Sequence, residues 1–164
     1  NQFDTSIDMT TIDIPNEYGY VILVALAFWI QQNILFVIPV AMARSSTGIK
    51  PPVLYPNDKL VSKLKLSESD VDKYMCAQRV HQNNVEFLSM FMPMLLIAGI
   101  GNPVHTAVAG AVVWLGRMVT AFGYWSSAGA RIYGGWFHIP ELYIVYMVGK
   151  LGYELAGPLL MQYF

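Results

Sequence analysis

Four stretches of the chain are apolar over enough residues to be read as membrane helices. The first runs from Tyr18 to Met42, with only Gln31, Gln32 and Asn33 strongly polar. The second starts polar near Met75 and turns apolar from Phe87 to Ile100; the third runs from Val104 to about Trp125 and carries one charge, Arg117. The fourth runs from about Ile139 to Phe164 and includes Glu141, Lys150 and Glu154. Crossing a hydrocarbon core of roughly 30 Å takes about 20 mostly apolar residues. No strand-like alternation persists, and in lipid only helices or closed barrels satisfy the backbone. The pattern predicts an all-α fold, an integral-membrane four-helix bundle protomer with spans near 18–42, 75–99, 104–127 and 138–162. Pro39 and Pro93 fall late in their segments and are expected to kink or end them.

The connections differ in character. Residues 1–17 form a polar N-terminal tail, and 18–164 a four-helix transmembrane domain with a long polar loop at 43–74. Ser67 followed by Asp70 predicts a capped helix start, so the second helix begins outside the membrane and enters it around Cys76 to Val80. Gly101, Asn102 and Pro103 make a tight turn, and 126–135 the third connection.

Composition agrees with a membrane protein. Hydrophobic residues make up 55% of the 164-residue chain and mean hydropathy is +0.42. Charged residues are 13%, against about 25% in soluble domains. A net charge of −1 leaves no basic field for nucleic acid. The single cysteine, Cys76, excludes an internal disulfide and a multi-cysteine metal site. Basic residues cluster between Arg44 and Arg79, with Arg131 in the third connection. The positive-inside rule puts both connections on the cytosolic side and both termini opposite.

The main chemical signal lies on the second helix. Arg79, Asn83 and Glu86 are spaced i, i+4, i+7 and share one helical face. Ionisable groups at membrane depth cost roughly 2.5 to 3.5 kcal/mol each at the helix centre, so they persist facing a bundle interior, a partner charge or a wet cavity. Such a stripe can grip a zwitterion, Glu86 taking an ammonium and Arg79 a carboxylate. It equally fits Arg79 and Glu86 pairing with each other or with a neighbouring helix. His81 joins the stripe as a candidate contact, although a lone histidine among amides is also explained by packing. No second histidine stands at metal spacing, so no metal site is expected. On the third helix Arg117 and Tyr124 are seven apart, and Arg131 follows seven later if the helix continues. An intramembrane ion pair with Glu86 or Glu141 is the expectation for Arg117, and Lys150 and Glu154 should neutralise each other.

Several motifs resemble the membrane-associated eicosanoid and glutathione metabolism (MAPEG) family, closest to its microsomal glutathione S-transferase 3 branch. They are Glu17-Tyr18-Gly19-Tyr20, Arg44, Pro51-Pro52-Val53-Leu54-Tyr55, the run from Cys76 through Arg79-Val80-His81-Gln82-Asn83-Asn84-Val85-Glu86, and Gly116-Arg117 with Gly123-Tyr124. The resemblance implies a four-helix protomer assembling as a homotrimer, with glutathione as co-substrate bound between protomers. It implies that Arg44, Arg79, His81, Asn83, Glu86 and Tyr124 bind glutathione. It makes Arg131 the catalytic cation that stabilises the thiolate. The implied activity is a membrane-bound glutathione transferase or peroxidase acting on lipophilic electrophiles or lipid hydroperoxides that arrive from the bilayer. The implied location is the endoplasmic reticulum, ahead of a mitochondrial or plastid membrane. Thr120 and Ser45 depart from the pattern, where many members have a tyrosine and an arginine. They leave as the alternative a catalytically silent scaffold subunit of a larger membrane complex.

Overall fold

A computed structural model describes residues 14–161. Most of the expected polar tail, residues 1–13, lies outside the described residues, as do 162–164.

Among the described residues the chain is entirely helical. Helix α1 covers Tyr18–Thr47, α2 Asp58–Leu64, α3 Glu68–Gly101, α4 Pro103–Ser126 and α5 His138–Leu160, with a 3-10 stretch, Ala128–Phe137, between α4 and α5. The expectation of four helices thus meets five. The additional one, α2, forms inside the loop because Asn57 caps it, its side-chain oxygen accepting from the Leu60 amide at 2.9 Å. Three helices, α1, α3 and α4, are long and apolar enough to cross a membrane. Helix α5 has 23 residues, but Glu141, Lys150 and Glu154 dilute its apolar surface and it is not among those three.

Local chemistry explains the boundaries. Ser67 and Asp70 form a reciprocal capping box at the start of α3, with the Asp70 amide donating to Ser67 Oγ at 3.2 Å and the Ser67 amide to Asp70 Oδ2 at 3.1 Å. Gly48, at φ 72°, closes α1 by returning its amide to the Arg44 carbonyl. Pro103 sits at the first position of α4, where its missing N–H has no intrahelical acceptor to lose.

Neither Pro39 nor Pro93 ends its helix. Pro39 cannot donate to the Leu35 carbonyl, and the chain widens just before it into a π turn, Gln31–Leu35, in which the Phe36 amide reaches back to Gln31 O at 2.9 Å. Such local widening lets a membrane helix carry a proline. Here it also turns Gln31 and Gln32 together into the protein, at 0% and 7% exposure. Pro93 sits inside α3, which continues to Gly101.

Helices α1, α3 and α4 pack against one another, and α5 packs on α3 and α4. Val21, Phe28, Leu95, Val113 and Ile144 fill the main core. A second cluster, Phe36, Val80, Ala121 and Tyr124, lies apart from it. Gly110 lets α4 approach closely, since a Cβ there would stand 2.7 Å from Leu95 Cδ1 and 2.9 Å from Val24 Cγ1. The polarity is inverted relative to a soluble bundle. Leu23, Leu26, Trp29, Met42 and Met90 face outward while Gln31, Asn84, Thr106 and Arg117 are buried, as a lipid surround requires.

Candidate functional site

The long loop and the third connection meet at one end of the bundle, as their basic residues led us to expect. There the end of α1, the first turns of α3, the end of α4 and the 3-10 stretch enclose an open cleft of about 1060 Å³. Arg79, Tyr124 and Arg131 line it, as do Lys73, Cys76 and the carboxylates Glu68, Asp70 and Asp72. Beneath it lies a void of about 10 Å³ bounded by Asn83, Arg117, Thr120 and Tyr124.

Arg131 reaches Tyr124 by a route the sequence did not suggest. Continuation of α4 was the expected means, yet α4 stops at Ser126 because Ser127 is extended, at φ −164° and ψ 152°. Ser127 Oγ then accepts from the Ala130 amide at 3.3 Å and starts the 3-10 stretch, which folds back along α4. Gly116, Gly123 and Gly134 permit this return. A Cβ on Gly123 would stand 2.3 Å from the Ala130 carbonyl oxygen, and one on Gly134 would stand 2.1 Å from Thr120 Oγ1 and 2.5 Å from the Gly116 carbonyl oxygen. The result is a contact in which Arg131 Nη1 donates to the Tyr124 hydroxyl at 3.0 Å, with the guanidinium carbon 5.6 Å from the ring centroid. Thr120 has its hydroxyl on the Gly116 carbonyl at 3.0 Å and its side chain against Gly134.

The charged ends of the stripe on α3 face outward. Arg79 and Glu86 are exposed, whereas Asn83 is half-buried and borders the void, so the two charged residues of the stripe do not point into this chain's own interior. Arg79 and Glu86 do not pair directly. Arg79 Nη1 approaches the Tyr55 hydroxyl at 3.5 Å, Tyr55 donates to Gln82 Oε1 at 2.6 Å, and Gln82 Nε2 donates to Glu86 Oε1 at 3.2 Å. This chain of bonds ties the loop to the stripe. His81 is half-buried beside it and borders neither cleft nor void; its carbonyl accepts from Gln32 Nε2 at 3.4 Å. Arg44 clasps the helix end instead of lining the cleft, donating to the Ile49 carbonyl and to Gln78 Oε1, both at 3.3 Å, with its guanidinium over Tyr74.

Arg117 does not make the expected ion pair. It is 6% exposed; its Nε donates to Asn84 Oδ1 at 3.0 Å, and its guanidinium carbon lies 4.6 Å from the Phe87 ring centroid and 5.2 Å from that of Phe137. Asn84 Nδ2 in turn donates to Gln32 Oε1 at 2.8 Å. Glu86 is engaged by Gln82, and Glu141 by His138 at 2.6 Å. An amide and two aromatic faces therefore replace the carboxylate. Asn84 and Gln32 were missed as partners, although polar residues inside apolar segments were a signal. Lys150 and Glu154 do meet, at 3.6 Å.

The cleft lining thus combines cations and a phenol (Lys73, Arg79, Arg131 and Tyr124) with carboxylates (Glu68, Asp70 and Asp72), a mixture suited to a zwitterionic ligand. An uncharacterized protein of the cyanobacterium Synechocystis is 33% identical over 102 residues, which are 62% of this chain and 64% of that protein, so the match spans less than two thirds of the relative. The family model for MAPEG matches residues 21–151, a range that contains α3, α4, the 3-10 stretch and every residue of the cleft wall named above. With that match across most of its length, the chain belongs to the MAPEG family.

Proposed function

We propose that this chain is a membrane-bound glutathione transferase and peroxidase, closest within its family to the microsomal glutathione S-transferase 3 branch. It activates the glutathione thiol for attack on lipophilic electrophiles or lipid hydroperoxides that reach it from the bilayer. The observation that carries this reading is the Arg131–Tyr124 contact, 3.0 Å long, in the same cleft as Arg79. Glutathione has two carboxylates, one ammonium and a thiol. Arg79 takes a carboxylate, Glu86 the ammonium, and Asn83 and His81 the polar backbone between them. Arg44 has used only two of its five N–H donors and helps from the rim. Arg131 stands toward the sulfur. A free thiol ionises with a pKa of about 8.5, and a neighbouring cation favours the thiolate.

Exposure of Arg79 and Glu86 supports a homotrimer in which a neighbouring copy covers the stripe and completes the site. A carboxylate left facing lipid would be costly. In this reading α5 is the fourth span. Its charges are held in the His138–Glu141 and Lys150–Glu154 pairs. The protein sits in the endoplasmic reticulum with both termini on the non-cytosolic side. Calorimetry with glutathione on the detergent-purified protein tests the reading. Saturable binding, accompanied by ultraviolet thiolate absorbance, is the expected result; no heat of binding would overturn it.

A further inference from the structure

Tyr124 is bonded on one side only. Its oxygen accepts from Arg131 Nη1, and among the described residues its O–H donates to no acceptor. The side chain is 8% exposed and sits at the seam of the cleft and the small void. Phe36, Val80 and Ala121 pack around it. Tyr124 borders the open cleft, so its O–H is free to donate to what enters there. A hydroxyl whose oxygen already accepts from a guanidinium donates more strongly to a third group, because bonds in a chain polarise one another. A second guanidinium, Arg117, borders the same void, and among the described residues neither arginine has a carboxylate within 4.0 Å. Negative charge developing on an oxygen in the cleft beside Tyr124 meets the Arg131 guanidinium and a proton donor.

We propose that Tyr124 protonates the departing oxygen when the site reduces a hydroperoxide. The inference rests on the glutathione reading above and assigns Tyr124 a chemical step in addition to contact. The glutathione sulfur bonds to the terminal peroxide oxygen and the O–O bond breaks. The departing alkoxide takes the Tyr124 proton and leaves as an alcohol. Sulfur is oxidised to a sulfenic acid and the peroxide is reduced. A second glutathione is the co-reactant. Its thiol returns a proton to the phenolate, and its sulfur displaces hydroxide to form the disulfide. That hydroxide takes up the proton released when the first thiol ionised, giving water. Conjugation to a haloarene needs no such donor, since chloride departs as a stable anion.

The two reactions therefore separate in Tyr124→Phe, which keeps the ring under Arg131. Purified enzyme is assayed with glutathione and either cumene hydroperoxide or chlorodinitrobenzene. The ratio of peroxidase kcat to conjugation kcat should fall about a hundredfold, within the range of general acid catalysis. The unaltered enzyme offers a second measurement: kcat across hydroperoxides with increasingly basic leaving alkoxides should stay nearly flat. An unchanged ratio in an active variant, or a steep leaving-group dependence in the unaltered enzyme, overturns the assignment and leaves the glutathione reading standing. An unaltered enzyme that turns over neither substrate overturns both.

Discussion

Gly134 and Gly135 are neighbours in sequence, yet alanine at the two positions should have opposite consequences. A Cβ at Gly134 would lie 2.1 Å from Thr120 Oγ1, 2.5 Å from the Gly116 carbonyl oxygen and 2.6 Å from the Thr120 amide nitrogen, whereas one at Gly135 meets nothing within 4 Å. Two of the three atoms crowding Gly134 belong to the α4 backbone, which cannot rotate away. Relief requires the 3-10 stretch to lift off α4. Overpacking of this kind costs about 1 to 3 kcal/mol. Lifting the stretch also separates Arg131 from Tyr124, and a hydrogen bond to a charged group contributes about 1.5 to 3 kcal/mol. Thermal unfolding of the detergent-purified protein should show the Tm of Gly134→Ala lowered by about 5 °C or more, with conjugation turnover lost in parallel. Gly135→Ala and Gly129→Ala, in the same stretch and both in open space, should match the parent. Gly134→Ala with parental Tm and turnover, or Gly135→Ala equally damaged, would refute the argument that this return is held by close approach.

Other consequences can be measured independently. Glu86→Gln keeps the shape of the side chain but loses the charge proposed to hold the glutathione ammonium, so calorimetry should show binding weakened by about 1.5 to 3 kcal/mol; normal assembly with parental affinity would exclude that role. Asn84→Leu strands the buried Arg117 guanidinium, whereas Arg117→Met removes the charge itself, so Asn84→Leu should lower the detergent Tm further; the reverse order would show that the network is not what holds Arg117. Single cysteines at Ser46 and Ser126, in a Cys76→Ser background, should label from the same side of the membrane because both positions border one cleft; labelling from opposite sides would contradict the topology.

Signals that are local in sequence read through to the structure. The Ser67–Asp70 cap, the turn at Asn102 and Pro103 and the Lys150–Glu154 pair each depend on residues within one helical turn or one chain reversal. Features decided by tertiary contact did not. The π turn at Gln31–Leu35 was not read from the sequence, although Pro39 and the polar Gln31-Gln32-Asn33 run stand there; what became visible only in the structure is the burial of both glutamines against α3 and α4, where Gln31 Nε2 reaches the Trp114 carbonyl at 3.2 Å. Arg117 drew attention as a lone charge, but its partner was sought among carboxylates, and an asparagine flanked by aromatic rings satisfies it. The shared face of Arg79, Asn83 and Glu86 was visible in their spacing. Its outward direction was not, because spacing fixes which residues share a face and leaves open what the face meets.

The central claim is that Arg131, carried back onto α4 by the 3-10 stretch, favours the thiolate of bound glutathione. Its most direct test compares the parent protein with Arg131→Ala, recording glutathione binding, thiolate absorbance and turnover with a generic electrophile near neutral pH. Loss of a cation beside the sulfur should raise the bound thiol's pKa and slow conjugation, while binding through Arg79, Asn83 and Glu86 survives. This is the signature of an interaction stronger in the transition state than in the ground state. The account predicts a thiolate signal in the parent that disappears in Arg131→Ala with affinity within about tenfold of the parent, or about 1.4 kcal/mol. A parent protein that binds glutathione yet shows neither thiolate nor turnover would contradict it.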